Sequence, residues 1–294
     1  MIGILILSFS FTGCSVKTFG NHIEQNSLVF GVSYEYNKIN PILGNTNVDH
    51  LVFRGLMRFG DQNIPREDIA EYYTVSKDGL TYTFKIKDGI RFHNNDILQP
   101  EDVAFTINSI LDESVVSTLK AEFSQVEKAE VVSENEVAIK LKTVFPPILD
   151  KLTVGIVPRG EFRGGDINNS KFNHSPIGCG PYRVVNWQKG KGIILKKFED
   201  YYASRANIEN VVFKYIPDSN VRVLQLLTGE VDITLIEPNY IENFKNNNKI
   251  DLYTIPTADY RCMMYNFNNE IFQDLSVRKA LNYAIDRQAV VDGI

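Results

Sequence analysis

Residues 80–110 read LTYTFKIKDGIRFHNNDILQPEDVAFTINSI. Leu80-Thr81-Tyr82-Thr83-Phe84-Lys85-Ile86 alternates apolar and polar side chains, the pattern of a strand with one buried face. Asp78-Gly79 precedes it and Asp88-Gly89 follows it. Asp-Gly between alternating runs is a strong hairpin signal, so strands are expected at 72–76, 80–86 and 90–92. Pro100 then suits the first turn of a helix, and Glu101 and Asp102 favour its positive start. Val103, Ile107, Ile110 and Leu111 form an apolar stripe along that helix.

The same mixture continues on both sides. Downstream, 126–132 and 137–141 make a second hairpin, and Pro146-Pro147 opens a short helix to Leu152. The Gly/Asn/Ser-rich stretch 160–176 reads as a loop and a boundary. Strands are expected at 182–188, 192–198, 211–216, 231–234 and 260–267. Asp218 or Ser219 caps a helix with Val223, Leu224 and Leu227 that Gly229 stops. Ser276 caps another, with Val277, Ala280, Leu281, Ala284 and Ile285 on one face. Upstream, SLVFGVSYEY (27–36) is strand-like and ends at Asn40-Pro41. Residues 47–59 carry Leu51, Val52, Leu56 and Phe59 at helical spacing, with Asn47 or Asp49 as cap. The expectation is a mixed α/β protein without regular βαβ alternation.

The chain has 294 residues, 44% of them hydrophobic, enough for two domains with a sizeable core. Net charge is −5, which argues against a nucleic-acid partner, since such a partner demands a basic face. Residues 2–11 are apolar but too few for a membrane span, which takes about 20. They suit the apolar part of a secretion signal. Phe11-Thr12-Gly13-Cys14 resembles a bacterial lipobox, which implies lipidation of Cys14 and cleavage before it. Residues 15–27 then read as a tether, and acyl chains would hold the protein on the outer side of the cell membrane. Cys179 and Cys262 either pair or stay as free thiols; free thiols are the simpler expectation.

Three segments resemble the family 5 bacterial extracellular solute-binding proteins, which bind oligopeptides, dipeptides and nickel chelates. Residues 80–110 are similar to the family's strand, turn, "F-H-x-G" and helix signature, with Asn95 where glycine is usual. Residues 176–187 (PIGCGPYRVVNW) and 206–232 resemble its "G-T-G-P-Y" turn and "G-E-V-D" strand, with Cys179 in place of threonine. Residues 265–294 resemble its "V-R-x-A-L-x-x-A-I-D-R" helix. The resemblance implies a periplasmic-binding-protein-like clamshell of the large three-domain class. It places a first-lobe piece at 28–47, an inserted subdomain at 48–175, a returning segment at 176–259, and the start of a second lobe at 260–294. Family members are much longer, so only the first lobe and the start of the second are expected within these residues. The implied function is peptide capture outside the cytoplasm and delivery to the permease of an ABC importer. A nickel-chelate or other small-solute binder, or a non-functional fragment, are the alternatives.

A clamshell closes when its ligand touches both lobes. Cleft-side residues are therefore expected where strands end: Tyr34, Tyr36 and Asn37, then Gly178, Cys179 and Gly180, and finally Tyr260, Arg261 and Met264. Each also has a structural reading: core for the tyrosines and Met264, hairpin folding for the glycine turn, a surface ion pair for Arg261. No cofactor and no catalysis are expected. Cys179 and His174 lack an orienting acid, and His93, His174, Cys179 and Cys262 lack metal-ligand spacing. His93 reads as a hydrogen-bonded loop residue.

Overall fold

A computed structural model describes residues 26–245, 247–254 and 262–292. Cys14, Tyr260 and Arg261 lie outside the described residues, as do the apolar N-terminal run and most of the tether. In chain order the strands are β1 (Ser27–Val32), β2 (Met57–Phe59), β3 (Pro65–Glu67), β4 (Ala70–Val75), β5 (Thr81–Ile86), β6 (Val126–Ser133), β7 (Glu136–Leu141), β8 (Tyr182–Gln188), β9 (Gly192–Lys197), β10 (Asn210–Tyr215) and β11 (Ile233–Thr234). The helices are α1 (Asp49–Val52), α2 (Pro100–Leu111), α3 (Ile148–Lys151), α4 (Ser219–Thr228), α5 (Leu275–Ala284) and α6 (Arg287–Asp292), with short 3-10 turns between. The chain divides into two compact units, with the boundary between Thr234 and Leu235.

The first unit holds two main sheets. One is the antiparallel meander expected from the quoted stretch, in the order β4-β5-β7-β6. Its alternation is as read: Tyr82, Phe84 and Ile86 are buried while Thr81, Thr83 and Lys85 are only partly covered. Helix α2 packs on β6 and β7. Its start is fixed by Asp102, whose carboxylate accepts from the Gln99 amide at 2.9 Å and the Arg159 amide at 2.9 Å. Two orphan donors are thus satisfied by one buried acid. Asn95 adopts φ +71, a left-handed conformation that asparagine tolerates better than most residues. That is why it serves where glycine is usual.

The other sheet is mixed, in the order β11-β1-β10-β9-β8. Strand β1 runs parallel to both neighbours, β10 and β11, and the rest is antiparallel. Helix α4 carries the chain from β10 to β11, capped by Asp218, whose side chain accepts from the Val221 amide at 3.0 Å. Gly229 ends it with φ +76. One continuous core joins the two sheets, from Val32 and Tyr36 through Val52, Phe84, Ile107 and Ile139 to Leu195 and Phe213.

Three local expectations change. The helix expected over 47–59 is a single turn, α1, followed by extended backbone and β2. Tertiary bonds replace helical ones there: Gly180 donates to Val52 O, Ile156 to Arg54 O, and Met57 to Leu152 O. The strand expected at 90–92 is one bridge, Arg91 to Ile97. Residues 262–267, the described part of the last expected strand, form none.

In the second unit, Asp274 rather than Ser276 caps α5, accepting from the Ser276 amide at 2.7 Å. Arg278 donates to the carbonyls of Phe272 and Gln273, at 2.6 and 2.9 Å, and lies over the Phe267 ring. Helix α5 buries none of its residues. Among the described residues no helix is long and apolar enough to cross a membrane.

Candidate functional site

In open sheets with parallel strands, ligands tend to bind beyond the carboxyl ends of those strands. Here β1 leads into Tyr34 and Tyr36. Tyr36 is buried, edge-on to Phe213 and to Tyr34. Its hydroxyl donates to the Tyr34 hydroxyl at 3.3 Å, and Asn47 Nδ2 donates to the same oxygen at 2.5 Å. Tyr34 is 39% exposed. Its oxygen already accepts two bonds, so what it offers outward is its own proton.

Asn47 lies just before α1, and α1 opens onto a cavity of about 280 Å³. Asp49, His50, Phe53, Phe123, Glu122 and Lys151 are among its walls. That volume is near the lower end for ligand pockets, roughly 300–1,000 Å³, and fits one end or side chain of a ligand. Asp49 is buried and accepts from the Thr46 amide at 2.8 Å and the Thr46 hydroxyl at 2.5 Å. Burial outweighs those two donors and pushes the carboxyl up to about 6. Burial, and secondarily the Arg54 charge, push His50 below its ordinary value, which favours its neutral form. Burial also pushes Tyr36 up, aided by Tyr34 and by the charge of Asp49, keeping its phenol protonated. Glu122 is paired with Lys151 at 2.8 Å, while Asp150 adds another acid to the lining. Aromatic rings and a surplus of carboxyls favour a cationic group such as an amine.

Helix α1 is one turn long, too short to be stable by itself. Surrounding groups hold it. The Gly178-Cys179-Gly180 turn lies against its last residues: a side chain at Gly178 would put Cβ 1.9 Å from Val52 O, and one at Gly180 would lie 2.4 Å from Leu51 O. Only glycine permits that approach. His93 locks the turn from the other side. Its backbone amide donates to Gly178 O at 2.8 Å, its Nδ1 accepts from the Gly178 amide at 3.2 Å, and its Nε2 donates to Gly180 O at 3.0 Å. Below α1, Arg54 pairs with Asp68 at 2.6 Å, and Tyr202 donates to the same carboxylate at 2.5 Å.

Of the residues expected at the site, the structure brings Tyr34 and Tyr36 together beside Asn47. Asn37 is exposed further along the same segment. Gly178, Cys179 and Gly180 are interior, and the close approach that their glycines allow is to α1. Burial pushes the Cys179 thiol up to about 12, so it is an inert thiol there. Met264, in the second unit, is 88% exposed. Cys179 and Cys262 are free thiols. Among the described residues no group of acids, histidines and cysteines could hold a metal ion. Sequence reasoning missed Asp49 and His50 as site residues, reading Asp49 only as a cap. The available signal was an acid and a histidine side by side within an apolar run.

The comparisons with known proteins converge on one family. Residues 65–294 match the family described as bacterial extracellular solute-binding proteins, family 5 Middle. Protein XP55 of Streptomyces lividans is 28% identical over 289 residues, covering 96% of this chain and 53% of that protein. The crystal structure of NikZ from Campylobacter jejuni in complex with Ni(L-His) superposes with a TM-score of 0.87 at 32% identity, covering 92% of this chain and 55% of NikZ. The oligopeptide-binding protein AppA from Bacillus subtilis, in complex with a nonapeptide, gives 0.82 at 26%, covering 90% and 55%. The chain thus spans about half the length of the relatives it matches. It belongs to the family 5 bacterial extracellular solute-binding proteins.

Proposed function

We propose that this chain forms the first lobe, and the beginning of the second, of a binding protein that captures peptides outside the cytoplasm for an ABC importer. In this reading residues 28–47 and 176–259 build the lobe, 48–175 the inserted subdomain, and 260–294 the start of the second lobe. Cys14 carries the lipid anchor. One observation supports this reading above all: a cavity lined by Asp49, Glu122 and Asp150 together with Phe53 and Phe123 opens at α1, and Asn47, two residues before Asp49, bonds the exposed Tyr34 hydroxyl that follows β1. A peptide amine suits the acidic, aromatic cavity, and a peptide carbonyl suits the Tyr34 proton. The protein works by binding, without chemistry on the ligand. The expected test result is thermal stabilisation of the chain by a tripeptide such as tri-alanine, about 2.7 kcal/mol at a hundredfold excess over Kd. Asp49→Asn should weaken that binding.

A second reading, capture of a nickel–histidine chelate, draws support from the likeness to NikZ. Titration with nickel and L-histidine separates the two. Stabilisation by the chelate but not by the tripeptide would replace the first reading with the second, and a response to neither would sink both.

A further inference from the structure

The outer edge of the mixed sheet carries features that the ligand site does not use. Strand β8 is the last strand, so among the described residues no strand pairs with its outer side. Its ladder is shifted between Val184 and Asn186, a bulge that leaves Val185 47% exposed. Alongside runs an open groove of about 450 Å³, walled by Arg183, Val185, Trp187, His174 and His93. Successive residues of a regular strand point to opposite faces. Here residues 183–187 all border the groove, because it follows the edge itself and the bulge re-aims the strand. Trp187 and His174 lie with ring centres 5.6 Å apart, forming an aromatic wall.

The charge at this edge opposes that of the whole. The chain carries net −5, yet no acid is among the groove's lining residues. Arg183 enters no ion pair among the described residues, and neither do Lys189 and Lys191, exposed just past the end of β8. His93 spends both ring nitrogens on the glycine turn and contributes only a wall. Asn94 ties Asp96 and Glu161 near the far end, at 2.9 and 3.3 Å, and Glu35 accepts from the Gly190 amide between Lys189 and Lys191, so beyond Trp187 two lysines stand against one acid and the uncompensated charge centres on Arg183.

We infer that β8 is a docking edge for an extended, acidic segment of a protein partner, which adds a strand to the sheet and sets its apolar side chains against Val185 and Trp187. Edge strands offer a row of free backbone groups, and strand addition is a common mode of peptide recognition. The bulge and the flanking cations make this edge selective: they disfavour pairing with another basic edge and favour carboxylates.

Trp187 is the chain's single tryptophan, so its fluorescence reports on this groove alone. The probe is an acetylated, amidated hexapeptide alternating glutamate and valine. The expected result is a saturable change in Trp187 emission that weakens severalfold between 0.05 and 0.3 M salt, as screening of exposed charges requires. Arg183→Glu should abolish it, and Asp49→Asn, at the other site, should leave it intact. A lysine–valine peptide, and a glutamate–valine peptide N-methylated on alternate amides, should give no response. An equal response to the lysine–valine or N-methylated peptide would overturn the proposal, as would a response retained by Arg183→Glu. So would no response at all, or an emission change on raising protein concentration without peptide, which would mark the edge as a contact between copies of this chain.

Discussion

Protonating His93 should unlock the turn that holds α1. In the folded chain Nδ1 accepts from the Gly178 amide and Nε2 donates to Gly180 O, so the ring is held as the neutral Nε2–H tautomer. A second proton would go to Nδ1 and face the Gly178 N–H, turning an attraction into a repulsion. Burial is the largest cause, with the Arg183 charge adding to it and the Gly180 bond opposing, and together they bring His93 from 6.5 down to about 4. The folded state therefore binds this proton less tightly than the unfolded state. The stability involved is fully present above pH 6.5 and is lost as pH falls from 6.5 towards 4. At 1.36 kcal/mol per pH unit the loss amounts to about 3 kcal/mol. Urea unfolding at pH 7, 5.5 and 4 measures it. His93→Gln keeps one donor and one acceptor at the turn and has no titration. The variant should be somewhat less stable than the parent at pH 7 and should converge with it or overtake it by pH 4. Parallel stability curves for the two proteins would refute the reasoning, whatever the shape each has alone, because all other titrating groups are shared.

The remaining predictions concern the same scaffold. Gly180→Ala places a methyl 2.4 Å from Leu51 O and 2.6 Å from the Val52 carbonyl carbon, so it should cost about 1–3 kcal/mol or more in urea unfolding; a cost under about 0.5 kcal/mol would show that the two backbones are not so close. Asp68→Ala strands the largely buried Arg54 and removes the Tyr202 acceptor, and should cost about 3–5 kcal/mol. Its cost should remain at 0.5 M salt, since a buried pair is little screened. Asp49 works in the opposite sense to His93. Its folded-state pKa is raised from 3.8 to about 6, so its contribution is present below pH 3.8 and lost as pH rises through 6. Asp49→Asn should therefore be more stable than the parent at pH 7, by up to about 3 kcal/mol, and should lose that advantage by pH 4. An advantage independent of pH would show that Asp49 is not desolvated in the folded chain.

Much of the architecture can be read from local pattern. The alternation over 80–86, the Asp-Gly turns, Pro100 with Asp102, and the helix between Asp218 and Gly229 all appear where the chain suggests them, because each depends on neighbours a few residues away. That His93 would be a hydrogen-bonded loop residue could be expected, but its partners, Gly178 and Gly180, lie some 85 residues downstream and only the fold reveals them. The pairing of β1 with β10 and β11 is not local either, for its partners lie some two hundred residues downstream in the chain. Nor is the fate of residues 47–59. Their apolar spacing suits a helix, but backbone groups from 152–156 and from the glycine turn take up the hydrogen bonds that a longer helix would use. That contest is decided by groups remote in sequence, and it shapes the cavity of the candidate site. By halting α1 after one turn, it leaves Asp49 and His50 at the cavity, two and three residues beyond the asparagine that meets Tyr34. Residue types and spacing determined the elements and the family likeness; the approach of distant backbones decided which carboxyl is buried, which phenol keeps a free proton, and that the glycine turn serves the scaffold.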